Sequence, residues 1–524
     1  MPLPSENIDW PPKEWAGIRS QMSVWDAWWT GDTAKLAKVY QESNSTSSVR
    51  QHGVFGVIKR FFWGRPNNGG SRPSRSDLHV PIAADLCATS ADILYGNVPK
   101  LESIAGKDAE TTVRVNEYVE GGLLQQLVEG AEMGAALGGR YHQVVWDQAI
   151  SSEPFTITVA HDHALPEFRW GKLAAVTFWT VLAQDNNKVV RHIERHELDS
   201  AGNGLTLHGL YEGTSDKLGK KLALTDHTAT AGLQVDKDGV NLYGRTPGLA
   251  VVYVPNVTPN RAWRTNPQGR HLGRSDLDGI ESLMDALDEA FNSLMRDLRL
   301  GKARIYASRS MLENRTPGNG QSDLSFDLDR ELFVGLEGLG PLKDASPITP
   351  QQFKIRVEEH QKTIRELIGR IYRGARYSAA TFDDLSAANM TATEVLARQS
   401  STATTRERKI RFEKPALLAL IRKMLAVDSA IFHTPGLAPE NLTVDFQPLI
   451  QETSTSMAQT VATLNAADAL SLETKVAMAH PEWSPEDVQD EVERIKEESP
   501  LASPDQWRPD FSGDPDEEPD PSEP

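Results

Sequence analysis

Apolar positions along the 524-residue chain change their spacing several times, and each change predicts a different kind of element. Over residues 80–95, Ile82, Leu86, Ile93 and Leu94 stand among alanines at helical intervals, with Gly96 and Pro99 as stop signals. Residues 111–137 continue as a helical stretch that ends at Gly138-Gly139. From 141 to about 254 the pattern becomes short β-branched and aromatic runs, among them 155–159, 176–181 and 251–254, separated by Gly, Asp and Asn turns. This stretch predicts a mostly β subdomain.

At Gly273 the pattern turns helical again. Leu277, Ile280, Met284, Leu287, Phe291, Leu294 and Leu298 alternate at three and four, the seam of a coiled-coil-like helix that Gly301 ends. Residues 302–349 are mixed and glycine-rich, with a loop at 316–320 and a strand candidate at 332–334. A second helix is predicted over about 350–373, with Phe353, Val357, Ile364, Leu367, Ile368 and Ile371 as its apolar side. A polar segment follows at 375–389, then a helical run over about 391–432 that Pro415 should kink or break. Beyond Pro435 a smaller helical region is expected, with Ser484 as N-cap, Pro485 as first helical residue, and Val488, Val492 and Ile495 on one face.

Charge sharpens this picture. Residues 275–300 carry seven acidic and two basic side chains, whereas 351–376 carry seven basic and three acidic ones. Helices of opposite charge can pair within a chain or between neighbours, and such surface pairs select partners more than they stabilise. The chain as a whole is at −18, of which the proline-rich tail 499–524 contributes −7; that tail is too poor in apolar groups to fold alone. An acidic body disfavours tight DNA binding, because counterion release from phosphates needs a basic surface. It remains compatible with guiding DNA without adhesion.

Length predicts two or more domains. Cys87 is the only cysteine, so no disulfide framework or thiolate metal cluster is expected within one chain, and a reducing compartment fits. No secretory signal is read at the start, and no apolar stretch approaches the roughly 20 residues of a spanning helix. Trp10, Trp15, Trp25, Trp28, Trp29 and Trp63 crowd the first part of the chain; few basic residues are interleaved, which favours packing over base stacking.

The catalytic patterns are incomplete. Residues 213–221 place five residues between two glycines where a phosphate loop has four, and Lys221 stands where a metal-binding hydroxyl belongs, so a hairpin turn is expected. His192, Glu194 and His196 would share one strand face, read as solvated rather than as a metal site. His161-Asp162-His163 lacks a third ligand and reads as a turn with exposed histidines. No enzyme, metal site or cofactor is expected.

In this order of elements the sequence resembles the portal proteins of tailed double-stranded DNA bacteriophages. Leu78-His79-Val80-Pro81-Ile82-Ala83 with Ser90-Ala91-Asp92-Ile93-Leu94-Tyr95-Gly96 looks like the family's early helix. Gly273-Arg274-Ser275-Asp276-Leu277 looks like the start of the stem, and Leu470-Ser471-Leu472-Glu473-Thr474-Lys475 with residues 487–498 like the end of the crown. The resemblance implies an α+β portal fold: a mixed α/β wing at 1–272, a stem helix at 273–300 and a small α/β clip at 301–349. A second stem helix at 350–373, a tunnel loop at 374–390, a kinked wing helix at 391–435 and an α-helical crown at 436–498 complete it, before the tail at 499–524.

It further implies a homo-oligomeric ring, usually of twelve subunits, at one vertex of the virion capsid, assembled in the host cytoplasm. Double-stranded DNA would pass through its channel in packaging and ejection. The terminase large subunit, head-completion or adaptor proteins, the major capsid protein and a scaffold would be partners, with no membrane. Arg376, Tyr377, Ser378, Thr381, Phe382, Asp383, Asp384 and Asn389 would face the channel, and Asp285, Asp288, Glu289, Arg365, Arg370 and Arg373 would serve contacts between stems. A tail or baseplate component is the alternative; a packaging ATPase would need the phosphate loop that is missing.

Overall fold

The computed structural model describes residues 3–45, 78–106, 109–147, 150–241, 245–300, 304–308, 334–336, 348–351, 356–382, 400–448, 461–467, 469–480, 483 and 485–498. Two compact units divide the chain, Met1–Leu385 with Arg398–Leu449, and Ser386–Ala397 with Ile450–Pro524.

The first unit opens with helices α1 (Ala16–Thr30) and α2 (Thr33–Ser45), the former stopped by Gly31 in the left-handed region. Trp15, Trp25 and Trp28 are buried with Ile18 and Met22 against Leu86, Cys87, Leu277 and Met284, and Trp10 meets Trp179 edge-on at 5.7 Å. Packing therefore claims these indoles as expected; Trp63 lies outside the described residues.

Helix α3 (Ile82–Tyr95) fulfils the first apolar pattern. The stretch expected as one helix over 111–137 is instead two, α4 (Glu110–Tyr118) and α5 (Leu124–Leu137), joined by a wide turn at Val119–Leu123. The cause is Gly121-Gly122, where Gly122 takes φ 108° and interrupts the ladder without a Cβ penalty.

Strand β1 (Lys100–Ser103) precedes α4. Strand β2 (Gly139–Val145) lies between β3 (Phe155–Ala160) and, later in the chain, β9 (Val251–Pro255), all antiparallel. Strands β4 (Ala164–Arg169), β5 (Lys172–Asp185), β6 (Lys188–Leu198), β7 (Gly204–Gly213) and β8 (Lys220–Leu222) form a five-stranded antiparallel meander. The expected β subdomain is thus two sheets, and the glycine pair at 213–219 is a hairpin turn between β7 and β8.

The seam helix begins later than its pattern. Residues 273–275 are irregular chain and 276–280 turns, and α6 spans Glu281–Leu300. Gly279 at φ 87° marks the junction, and its amide donates to the Glu281 carboxylate at 2.8 Å. Leu277 and Ile280 keep the helical spacing because both are buried in the same core. A three-stranded sheet follows, with β10 (Arg304–Ser308) parallel to β11 (Val334–Leu336) and antiparallel to β12 (Ile348–Gln351). Pro350 and Gln351, expected at a helix start, therefore belong to a strand; Phe353 lies outside the described residues. Helix α7 (Val357–Gly374) then returns.

Helix α8 (Ser400–Val427) runs across Pro415 as a single helix, so the expected break does not occur there. Pro415 is exposed, where water can serve the carbonyl four residues earlier, and buried side chains anchor the helix on both sides of it. Strand β13 (Leu442–Asp445) pairs with β1, which places residues 436–448 in the first unit instead of with the C-terminal region.

The second unit contains α9 (Leu472–Ala479), capped by the Ser471 hydroxyl, and α10 (Pro485–Glu498). Val488, Val492 and Ile495 line one face as predicted and pack with Val476, Leu472 and Trp483. Ser484 lies outside the described residues. Among the described residues no helix is long and apolar enough to cross a membrane.

Candidate channel and assembly site

Helices α6 and α7 form an antiparallel hairpin. Near the end of α6, Asp297 meets His360 at 2.9 Å and Arg356 at 3.5 Å, both from the start of α7. At the other end, Gly374 lies against Ile280 so closely that a Cβ would sit 2.6 Å from the isoleucine methyl. The acidic and basic helices thus pair within one chain. The seam is filled by this pairing only in part: Met284 and Leu287 are buried, whereas Met295 and Leu298 remain 37% and 39% exposed.

The root of α6 is fixed by polar contacts. Glu281 Oε1 accepts from Trp25 Nε1 at 3.0 Å and from Gln21 Nε2 at 3.1 Å. One turn of chain earlier, the buried Asp276 carboxylate accepts from Lys409 Nζ at 2.6 Å, Tyr377 Oη at 2.9 Å and Asn256 Nδ2 at 2.8 Å. Lys409 also donates to Ser90 Oγ at 2.5 Å. This hub ties α3, the turn before α6, the segment after α7 and α8 into one polar contact inside an apolar core. Burial, with the Asp276 charge beside it, pushes the Tyr377 phenol well above its ordinary range, so it stays a donor.

Helix α8 carries a second such contact. Glu413 accepts two bonds from Arg140 Nη2, at 2.7 and 2.8 Å, and one from Tyr95 Oη at 2.9 Å. Arg406 donates to the carbonyls of Ile93 and Gln447, and Lys423 to those of Thr246, Pro247 and Gly248. Sequence reading missed these residues. A signal existed: Thr402, Arg406, Lys409, Glu413, Leu417, Leu420 and Met424 continue one stripe at intervals of three and four, and all are buried.

The segment after α7 is anchored more firmly than a loop reading implied. Arg376 adopts φ 70° and is exposed. Tyr377, expected to face DNA, is instead buried in the hub, because the turn at Arg376 rotates its side chain inward. The Ser378 amide donates to Thr402 Oγ1 at 2.9 Å, and Thr381 Oγ1 lies 2.7 Å from the same hydroxyl. Phe382 stacks on Tyr372 with ring centroids 3.8 Å apart. Asp383, Asp384 and Asn389 lie outside the described residues.

Among the residues expected at stem contacts, Arg365, Arg370 and Arg373 are exposed, and Asp285 and Glu289 are half-buried. Arg370 Nε donates to Glu366 at 2.8 Å on its own helix. Asp288 is different: it is 1% exposed, accepts from Val80 N at 2.8 Å and contacts His79 Nδ1 at 2.7 Å. It serves its own chain, because residues 78–80 cross α6 at that turn, beside the apolar seam.

The histidine-rich strand is also not solvated. His192, Glu194 and His196 share a face of β6 as predicted, but Gln143 of β2 reaches across to donate to Glu194 at 2.6 Å. His192 and His208 stack at 5.3 Å, with Nε2 and Nδ1 3.2 Å apart. Burial lowers the pKa of His192 and pulls that of His208 down to about 4. Burial alone would raise Glu194, but the His196 contact and the neighbouring imidazoles outweigh it and hold the acid at about 2. His161, expected to be exposed, is buried with Nδ1 3.1 Å from the Leu137 carbonyl, and burial lowers it to about 4; His163 is exposed as expected. Among the described residues no three His, Cys, Asp or Glu side chains are grouped to hold a metal ion.

A helix hairpin with a small sheet inserted between its arms, rooted in a mixed α/β body, defines an architectural subunit. The family model described as phage portal protein, SPP1 Gp6-like, matches residues 236–504, which include the hairpin, the inserted sheet, α8 and the C-terminal helices. The chain belongs to this family of bacteriophage portal proteins, structural components of the virion. No curated protein sequence matches it.

Proposed function

We propose that copies of this chain close into a ring at one capsid vertex and form the channel through which double-stranded DNA is packaged and later ejected. The observation that carries this reading is the hairpin of α6 and α7. Its acidic arm of 20 residues spans roughly 30 Å, and its apolar seam runs beyond what the described residues of the same chain cover, with Met295 and Leu298 exposed. A neighbouring hairpin would cover that end. The partly buried Asp285 and Glu289 and the exposed Arg365, Arg370 and Arg373 then select the register between neighbours.

In this reading α6 and α7 are the stem, and the sheet of β10, β11 and β12 belongs to the clip. The clip docks the terminase large subunit during packaging and head-completion or adaptor proteins afterwards. Arg376, Ser378 and Thr381, with Asp383, Asp384 and Asn389 beyond them, face the DNA, while Tyr377 and Phe382 hold that segment to the body. The residual negative charge of the wall keeps the duplex sliding. Electron microscopy of the purified protein viewed down its symmetry axis tests the proposal: a ring with an axial hole is expected, and a population of monomers or open filaments refutes it.

A further inference from the structure

Between the tip of the β4–β5 hairpin and the second half of α8 lies a cleft of about 1010 Å³. One wall is aromatic: Phe168 meets Tyr253 edge-on at 5.6 Å and His271 at 5.4 Å. Phe412 and Ala419 line it from α8, and Leu173 and Val252 add further apolar surface. Its charged lining is one-sided. Lys172, Arg270, Arg422 and Lys423 stand against Glu440 alone, in a protein whose net charge is −18.

None of these four cations is paired with a carboxylate among the described residues. Arg422 donates to the carbonyls of Pro439 and Glu440 at 3.3 and 3.4 Å, and Arg270 Nε to His271 Nε2 at 3.1 Å. Lys423 is 5% exposed and donates to the carbonyls of Thr246, Pro247 and Gly248 at 3.0, 3.3 and 2.7 Å. Carbonyl dipoles satisfy the donors of an ammonium without cancelling its charge. Burial accordingly pulls the Lys423 pKa down to about 8, which leaves it cationic at neutral pH. An anionic chain lying in the cleft would supply the missing counter-charge.

Trp170 marks the rim. It precedes Gly171 and Lys172 of the lining in the turn between β4 and β5, holds φ 53°, and is 98% exposed. The left-handed region is disfavoured for a bulky side chain, and an indole this exposed adds nothing to the core of its own body. An exposed aromatic beside a concave surface is a ready anchor for recognition.

We propose that this cleft is the docking site of the segment 499–524. That segment holds eight carboxylates against Arg508 alone, seven prolines, and Trp507 and Phe511 four residues apart. Aromatic walls accept proline-rich chain, because its extended form loses little conformational entropy on binding, and the cations of the cleft answer its carboxylates. Its 26 residues reach about 85 Å when extended, so seating a few of them leaves slack for the rest. The proposal is independent of the channel reading, since it needs only one cleft and one segment.

Cysteine cross-linking in the full-length protein tests it. A419C, in the cleft, is combined with S512C and treated with a short bismaleimide. T404C/S512C, exposed on the same helix about 22 Å away, gives the background. The native Cys87 is buried and stays out of the reaction. A419C/S512C should give product well above that background, and either a closed monomer or a cross-linked dimer on a denaturing gel supports the docking; the dimer places the segment in a neighbouring copy. Adding W507S/F511S, which changes no residue of the body, or K172E/R270E at exposed rim positions should cut the yield about fivefold or more. A yield at background overturns the site and leaves the cleft to an acidic partner from outside the chain. A yield that neither pair of changes lowers overturns it as well. Ring formation is scored separately by microscopy, and its failure bears on the channel reading alone.

Discussion

Changing Asp276 to Asn removes the one negative charge at the hub while keeping its shape. Lys409 is 3% exposed and would be left with Ser90 Oγ and a neutral amide as partners. Removing one member of a buried ion pair costs about 3–5 kcal/mol, because the surviving charge stays desolvated. For a unit of roughly 440 residues the unfolding entropy is large, so that loss lowers the melting temperature by only about 3–5 °C. Chemical denaturation is therefore the better assay. The decisive comparison is a cycle of D276N, K409M and D276N/K409M, with unfolding followed by tryptophan fluorescence. The double variant should recover at least about 2 kcal/mol relative to the sum of the single changes, since it no longer strands a charge. If the effects add within about 0.5 kcal/mol, the hub is not a coupled unit and the account of how α8 is held to α6 is wrong.

Gly138, at φ 86°, closes α5, and a Cβ there would sit 2.8 Å from the Gly273 carbonyl oxygen and 3.0 Å from the Ser275 amide. G138A should cost at least about 1–2 kcal/mol in an unfolding titration, and a neutral result would contradict the close approach of these segments. His192 and His208 have folded pKa values below the ordinary 6.5, His208 and His161 near 4, so the unfolded chain binds more protons over that interval. Stability should accordingly be full above pH 6.5 and fall as pH drops towards about 4, with H208N flattening the slope; an unchanged slope in that variant would refute the assignment. L298S and M295S should leave single-chain stability within about 0.5 kcal/mol yet weaken assembly in light scattering, and equal assembly would show that the open seam is not a contact.

Element type was legible where one physical preference dominated. The alternation of β-branched residues marked β3, β5 and β9, and the three-four spacing marked α6, because strand and helix expose faces at different periods. The paired charges of α6 and α7 were also visible, and so was the acidic character that disfavours tight DNA binding. Boundaries failed where burial imitates helical periodicity. Leu277 and Ile280 continue the seam of α6 without being helical, since the same core takes them from a turn.

What the tertiary structure alone decided is which charges are internal. In sequence, Asp288 resembles Asp285 and Glu289, and Tyr377 resembles its polar neighbours; only the crossing of residues 78–80 over α6 and the turn at Arg376 bury the first two roles into the chain itself. Arg406, Lys409 and Glu413 stand on the apolar stripe of α8, but their burial as charges follows only once Ile93, Asp276 and Arg140, each far away in sequence, supply their partners. The sequence determined by itself the order of helices, strands and charge blocks that marks a portal protein, since these depend on neighbours along the chain. Burial of a charge depends on partners hundreds of residues distant, and long-range packing had to bring them together.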